Sequence, residues 1–316
     1  MNPHLRENFT IRVPASIANL GPGFDTLAVA VQLYLDLHVT VLPGDNQLHF
    51  RFVDCHVDGE NYIERAFHFL AAQRGVSHPS LGIEVRTEIP MKGGLGSSAA
   101  ATVAGLRLYE SIAGSLPVQG LLNAACALEG HPDNVAAALL GGLTISCQMP
   151  DRSAFAVRLD WPPALHFLVL TPQLSLATVA SREILPSHVS HEDAIYNLQR
   201  VALFLQAVQG GDYSLLREAL HDRLHQPFRK DLVPGLQDLL ALEHPDLLGV
   251  CLSGAGPSIV ALAQQNLDEV EDLLRTTFSA QKLPFTVRRL AAHQLDSTSA
   301  NQDVGESVAS FPNSHS

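Results

Sequence analysis

Three glycines and two serines within six residues form the part of this sequence best suited to chemistry. Residues 90–104 read PMKGGLGSSAAATVA. Gly93, Gly94 and Gly96 lack a β-carbon, so the backbone there takes φ > 0 without strain and lets a ligand come close. Ser97 and Ser98 follow, and the small residues that begin with Ala99 and Ala100 favour helix. A glycine loop that opens into a helix directs several free N–H groups and the positive end of a helix dipole at one point, which is an anion site and usually a phosphate site. Plain connections use the same pattern, and two common fingerprints are missing. Lys92 precedes the glycines where a P-loop lysine follows them, and GLGSSA lacks the third glycine of GxGxxG. The paired hydroxyls favour the phosphate reading, because they suit a phosphate together with magnesium, a hard cation that takes oxygen ligands. The ligand this predicts is a nucleoside triphosphate.

Three other stretches carry polar groups on tight turns. Residues 17–27, IANLGPGFDTL, crowd Asn19, Gly21, Pro22 and Gly23 together and end the turn on Asp25. Such side chains suit a ligand, and ordinary Asx-turn chemistry also accounts for them. In residues 129–134, EGHPDN, a helix break sets Glu129, Asp133 and Asn134 at helix ends, where each can reach a ligand or act as a cap, a role for which Asp133 is well suited. Residues 249–263, GVCLSGAGPSIVALA, predict strand, glycine turn and strand, with Gly254 and Gly256 at the tip.

The elements that must position these groups alternate between strand and helix patterns. Strands are predicted at residues 10–16, 35–42, 48–53 and 81–89, the last delivering the chain into the glycine loop. A helix over residues 61–74 would bury Ile63, Ala66, Phe67 and Leu70, and helices at 118–129 and 135–140 flank the EGHPDN break before a strand at 143–148. The pattern loosens over residues 151–163, and Trp161, Pro162 and Pro163 mark a domain boundary. Beyond it come a strand at 165–170, helices at 179–185, 191–209, 213–224, 235–242 and 267–283, the glycine hairpin, and a strand at 285–290, an α+β layer. The polar stretch from Asp296 onward predicts a disordered tail. The expected division is therefore residues 1–160, residues 161–295 and a tail of residues 296–316.

Composition narrows the partners. Lys+Arg of 20 against Asp+Glu of 32 gives a formal charge of −12, which argues against nucleic acid and anionic membranes. No run reaches the about 18 apolar residues of a membrane span, and the first ten residues lack the apolar core of a signal peptide, so a cytoplasmic location is expected. Four cysteines, Cys55, Cys126, Cys147 and Cys251, are spread without metal spacing and predict free thiols. No structural metal is expected.

Taken in order, PASIANLGPGFD (residues 14–25), PMKGGLGSSAA (90–100), EGHPDN (129–134) and LSGAGPS (252–258) resemble the motifs of the GHMP small-molecule kinases, and within them the homoserine kinases. TVASREILP (178–186) and LHQPFR (224–229) match the latter too, and the likeness runs over about residues 11–290. The resemblance implies a first domain like domain 2 of ribosomal protein S5 and a ferredoxin-like α+β second domain, with ATP and magnesium in the cleft between them, and a homodimer. The reaction it implies is transfer of the γ-phosphate of ATP to the hydroxyl of L-homoserine, a step of threonine biosynthesis. The glycine loop with Pro90, Met91, Lys92, Leu95, Ala99 and Ala100 would hold ATP, and Asn61 would lie near the adenine. Ser98 and Glu129 would hold magnesium.

Homoserine is a zwitterion with a hydroxyl arm. By the resemblance Asp25 and Asp133 would take its ammonium, with Asn19 and Asn134 as neutral neighbours. Arg182 and Arg229 would take its carboxylate, since a guanidinium fork matches that group in a bidentate way. Gly254 would bring backbone to the substrate, and Thr178 would sit nearest the reaction with Asn134 and Arg182. Without the resemblance the two arginines read as surface salt-bridging groups. Mevalonate and galactose kinases carry a lysine early in the first motif and an aspartate base in the third. The matching positions here are Ile17 and Asn134, neither of which takes a proton, which implies a mechanism without a dedicated protein base. Two alternatives stand beside this one: a GHMP kinase for a sugar or isoprenoid alcohol, and an inactive nucleotide-binding regulator.

Overall fold

In a computed structural model of the protein, residues 6–53, 55, 59–75, 77–174, 176 and 178–295 are described, without the side chains of Thr178 and Val179. The tail for which disorder is expected lies outside the described residues. The first half runs β1 (Asn8–Ala18), β2 (Leu27–Leu42), β3 (Leu48–Val53), α1 (Tyr62–Arg74), β4 (Ser80–Thr87), α2 (Ser97–Ala113), α3 (Val118–Glu129), α4 (Asp133–Leu140), β5 (Leu143–Gln148) and β6 (Ala154–Leu159). The second runs β7 (His166–Pro172), α5 (Thr178–Glu183), α6 (His191–Gly210), α7 (Leu216–Ala219), α8 (Gln226–Arg229), α9 (Leu236–Leu240), β8 (Leu247–Leu252), β9 (Ile259–Ala263), α10 (Leu267–Ser279) and β10 (Phe285–Leu290).

The alternating run at residues 35–42 is only the end of β2, which spans 16 residues. Its first part, LAVAV, is buried on both faces and so shows no alternation. β1 pairs antiparallel with β2 along its length. Because Leu27, Ala28 and Val29 also pair with β5, the other edge of β2 takes β5 near its start and β4 near its end. β3 joins β4 in parallel through the α1 crossover, and β6 closes the far edge beyond β5. Helices α1 to α4 cover this six-stranded sheet. Ala18, Ala28, Ala30 and Ala137 form a cluster of small residues that lets α4 lie close against β1 and β2.

The second sheet is antiparallel in the order β10-β7-β9-β8. One face packs on α9 and α10 through Leu168, Leu170, Leu236, Val270, Leu274 and Phe278. The other face, with Phe167, Val169 and Val260, belongs to the same core as the first sheet. Trp161, expected at a domain boundary, is buried in that core, with its ring 4.7 Å from Phe167 and Nε1 donating to Leu165 O (3.0 Å). After β10 the chain returns to the first sheet, where Gln32 N–H donates to Ala291 O and His293 N–H to Ala30 O.

Two elements depart from expectation for local reasons. β6 lies where the pattern loosens, because Phe155 and Val157 face outward and hide its alternation. The helix predicted at residues 213–224 is a short 3-10 turn (Tyr213–Leu215) followed by α7. Asp222 stops it by accepting the N–H groups of Leu224, His225 and Gln226 (2.8, 2.9 and 2.7 Å), which starts α8 instead.

Candidate active site

β4 feeds the glycine loop, and Gly96 at φ +69° is the last residue before α2. A β-carbon there would lie 2.1 Å from Ser16 Oγ, so only glycine fits. No side chain caps α2, and the first N–H groups of a helix have no acceptor within it, so they remain directed at the loop. Gly94, at φ +78°, presses against the β8–β9 turn, where a β-carbon would lie 2.6 Å from Gly256 O. Ser253 Oγ donates to Gly94 O (2.6 Å) and Ser258 N–H to Gly93 O (3.2 Å). The two glycine motifs thus lie back to back, one from each half of the chain.

Beside them opens a cavity of about 520 Å³. Met91, Lys92, Gly94, Gly96, Ser97 and Ser98 line it from the loop. Leu95, Ala99 and Ala100 do not: they are buried in the core and shape the loop from behind. Pro90 and Gly93 are likewise not among the lining residues, but Pro90 O accepts from Gly93 N–H (3.2 Å) to close the turn. Ser98 Oγ donates to Glu129 Oε2 (2.8 Å), and Thr102 Oγ1 to Glu129 Oε1 (2.7 Å). Three oxygen-bearing side chains therefore meet at one point, a donor set that fits a hard divalent cation. Thr102 escapes the motif reading, although its spacing of four from Ser98 on α2 sets both on one helix face. At the other end Asn61 lines the cavity and also caps α1, its Oδ1 accepting from Ile63 N–H (3.2 Å) and Glu64 N–H (3.4 Å). Phe52, Tyr62 and Val85 give that end apolar walls. They carry no sequence signal, since each reads as an ordinary strand or helix position.

Charge gathers at the third side. Asn19 Oδ1 accepts from Asp25 N–H (3.2 Å) and Nδ2 donates to Gly254 O (3.1 Å), joining the first motif to the hairpin tip. Arg182 on α5 grips Asp25 with two bonds, Nη1 to Oδ2 (2.9 Å) and Nη2 to Oδ1 (2.5 Å). This hydrogen-bonded pairing raises the guanidinium pKa above its usual value. Arg229 is 1% exposed and has no carboxylate partner among the described residues. Its bonds go to neutral groups: Nε to Ser181 O (3.2 Å), and Nη1 to Gly254 O (2.9 Å) and His225 Nδ1 (3.0 Å). Burial, with Arg182 nearby, lowers its pKa to about 10, so it stays charged at neutral pH. A buried cation without a counter-ion is costly, and an anionic ligand relieves that cost.

Asp133 is buried, and it is not the cap for which it is suited: Pro132 holds the cap position and Asp133 is the first residue of α4. It turns inward, where Oδ1 accepts from His131 Nδ1 (2.7 Å), Asn134 N–H (2.7 Å) and Asn134 Nδ2 (3.3 Å). Burial, the largest single influence, would raise its pKa, but the His131 bond and charge, the Asn134 N–H and the Arg182 charge together outweigh it and hold the carboxyl below the usual range. Asn134 Oδ1 accepts from Ser16 Oγ (2.7 Å), another contact the motifs do not announce. An oxygen each of Asp25 and Asp133 and a ring nitrogen of His131 lie within 4.8 Å of one another. Thr178 opens α5, but its side chain lies outside the described atoms.

Comparison with known proteins places this geometry. The GHMP kinases N terminal domain family matches residues 61–142, and the GHMP kinases C terminal family matches residues 203–280. The chain is 41% identical over 263 residues to a homoserine kinase of Deinococcus radiodurans, covering 81% of this chain and 85% of that one. It is 38% identical over 282 residues to a homoserine kinase of Solibacter usitatus, covering 85% and 90%. The solved structure of a homoserine kinase from Cytophaga hutchinsonii superposes with a TM-score of 0.82 at 25% identity, over 93% of this chain and 98% of that one. A mevalonate kinase from L. major, at a TM-score of 0.70 and 16% identity, shares the fold over 94% of this chain and 99% of its own.

Proposed function

The chain belongs to the homoserine kinase family of the GHMP kinases, and from that premise we propose that its cavity takes ATP and L-homoserine and yields O-phospho-L-homoserine and ADP. The observation that carries this reading is the charge arrangement beside the glycine loop: Asp25 bonded to Arg182, with the buried Arg229, which pairs with no carboxylate among the described residues, next to them. Without ligand, the two charges proposed for the ammonium and the carboxylate satisfy each other. A zwitterion exchanges that pair for two new ones with no net charge left over, and a neutral sugar does not.

In this reading the N–H groups at the start of α2 and the loop at Gly94 and Gly96 cradle the phosphates, Lys92 approaches them, and Asn61 borders the base. Ser98 and Glu129, supported by Thr102, hold magnesium, which supplies charge to neutralise the transferred phosphoryl group. Asn19, Asp25 and Asp133 orient the ammonium, and Arg182, Arg229 and Gly254 the carboxylate. The same reading assigns Asn134 and Thr178 to the hydroxyl. Ile17 and Asn134 stand where the related kinases carry a lysine and an aspartate, and the lowered pKa of Asp133 makes its carboxylate a weak base, so the proposal gives the hydroxyl no dedicated base. Positioning and charge stabilisation carry the step, because a loose phosphoryl transition state needs little activation of the nucleophile. The proposal includes a cytoplasmic homodimer with its domain boundary near residue 160. Among the described residues no helix is long and apolar enough to cross a membrane.

The test is ADP release by purified protein with magnesium-ATP and L-homoserine, D-homoserine, L-serine, L-threonine, mevalonate or galactose. Turnover confined to L-homoserine is the expected result. Preference for mevalonate or galactose would overturn the amino-acid pocket, and silence with all six would favour a regulator.

A further inference from the structure

Arg229 cannot choose its own orientation, since a buried guanidinium points where its partners hold it. Two of its three bonds are to backbone carbonyls, Ser181 O and Gly254 O. The third is to a side chain, His225 Nδ1, one helical turn earlier. An arginine only donates, so Nδ1 accepts and the ring proton resides on Nε2. Nε2 lies 2.8 Å from Gly21 O and donates to it. The tautomer is thus set by both neighbours at once. Gly21 belongs to the turn that carries Asn19 and Asp25, so a single imidazole connects the arginine of the second half to the acidic turn of the first. Phe24 from that turn stacks on the imidazole, with ring centroids 5.3 Å apart and planes 24° from parallel, and the guanidinium carbons of Arg182 and Arg229 lie 5.3 and 5.4 Å from the same ring.

We propose that His225 is a positioning residue for substrate binding: as a neutral imidazole anchored on Gly21 O, it accepts from Arg229 and turns the guanidinium fork toward the substrate carboxylate. This rests on the reading of Arg229 as the carboxylate group. His225 is buried and, unlike Arg229, does not line the cavity, so it meets no ligand itself. The groups that face it are Arg229, Asp222 and the carbonyl of Gly21. Asp222 Oδ2 is 3.5 Å from Nε2 and is already occupied by the N–H groups of His225 and Gln226. Burial, the largest influence, keeps the ring neutral against the opposing charge of Asp222, and the nearby Arg229 acts in the same direction as burial. A protonated ring would lose its acceptor and set a second positive charge beside the guanidinium.

A packing role and a positioning role separate in two conservative variants. In His225→Asn the amide oxygen stands near the position of Nδ1 and keeps the acceptor for Arg229 but loses the bond to Gly21. In His225→Gln the amide nitrogen stands near Nε2 and keeps the donor to Gly21 but loses the acceptor. We expect His225→Gln to raise the KM for L-homoserine about tenfold or more, the worth of a hydrogen bond to a charged group. KM for ATP and kcat should change less than about twofold, and His225→Asn should stay within about threefold of the parent on every constant. If His225→Gln binds homoserine better than His225→Asn, or if both KM values rise together, the ring is inter-domain glue and the proposal is wrong. Arg229→Ala, assayed alongside, isolates the premise: if it leaves the homoserine KM unchanged, the reading of Arg229 fails whatever the histidine does. Should His225→Gln not fold, imidazole nitrogen NMR of the unaltered protein decides. An unprotonated Nδ1 and protonated Nε2 are expected, and a protonated Nδ1 overturns the proposal.

Discussion

Arg229 shows how burial turns a side chain into a specificity element. A cation 1% exposed, whose hydrogen bonds go to carbonyls and an imidazole, has a strong electrostatic preference for an anion, and no carboxylate among the described residues bonds to it. Truncating one member of a buried charge pair costs about 2–5 kcal/mol, so Arg229→Ala should raise the KM for L-homoserine by about 30-fold or more, with the KM for ATP nearly unchanged. Steady-state kinetics with each substrate varied in turn checks this, and equal effects on both would remove the carboxylate role. At the other side of the cavity, Ser98→Ala removes the hydroxyl that bonds Glu129 and should raise the magnesium concentration for half-maximal rate about tenfold. An unchanged magnesium titration would move that role to another oxygen. The cysteines differ in the same way by environment. Burial pushes the Cys251 thiol up to about 12, so it carries almost no thiolate at pH 8, whereas Cys147 is exposed. A disulfide reagent should label Cys147 quickly and Cys251 only after unfolding, as peptide mapping would show.

At the scale of elements, the site is the contact between two glycine turns. Gly94 leaves room for the carbonyls of Ser253 and Gly256, and a β-carbon would lie 2.7 and 2.6 Å from them. Its φ of +78° adds the cost of a left-handed conformation for any other residue. Gly94→Ala should therefore destabilise the protein by at least about 2 kcal/mol and should lower kcat/KM for both substrates together, because the loop and the hairpin tip shift as a unit. Calorimetry and kinetics on the same preparation test it, and a native melting temperature with native kinetics would contradict this account of the interface. The contrast with Arg229→Ala is useful: one change acts on one substrate and the other on the frame that holds both.

Over the whole molecule, the large core does not stop at the boundary marked by Trp161, Pro162 and Pro163. Trp161, Phe167 and Phe204 belong to the same buried cluster as Val29, Leu37 and Leu106 of the first half. Removal of a fully buried tryptophan costs about 3–5 kcal/mol. Trp161→Ala should therefore weaken both halves, not one. Urea unfolding followed by circular dichroism and by the fluorescence of the protein's one tryptophan should give coincident transitions in the parent protein. Separate midpoints would mean that the halves unfold independently despite their common core.

The sequence by itself determined which residue types are available to the site and the local frame around them. Glycines before a helix, a serine pair and polar groups at turns and helix breaks are local statements, and the backbone rules that govern them act over a few residues. The glycine hairpin of residues 252–258 and the strand that feeds the loop were legible for the same reason. Where the local pattern carries no signal, tertiary structure decided. Asp133 resembles a helix cap but turns inward, because His131 and Asn134 supply donors inside a buried corner. β6 hides behind outward apolar residues, and the predicted helix at residues 213–224 is cut by the N–H groups that Asp222 collects. Thr102, Ser16 and His225 were invisible as parts of the site, since each matters only through a partner distant in sequence or through its burial. The pairing of Asp25 with Arg182 spans 157 positions of chain. Residue types state what a group can do, but only folding brings together groups so far apart, because charge and hydrogen bonding act over a few ångströms of space and not along the chain.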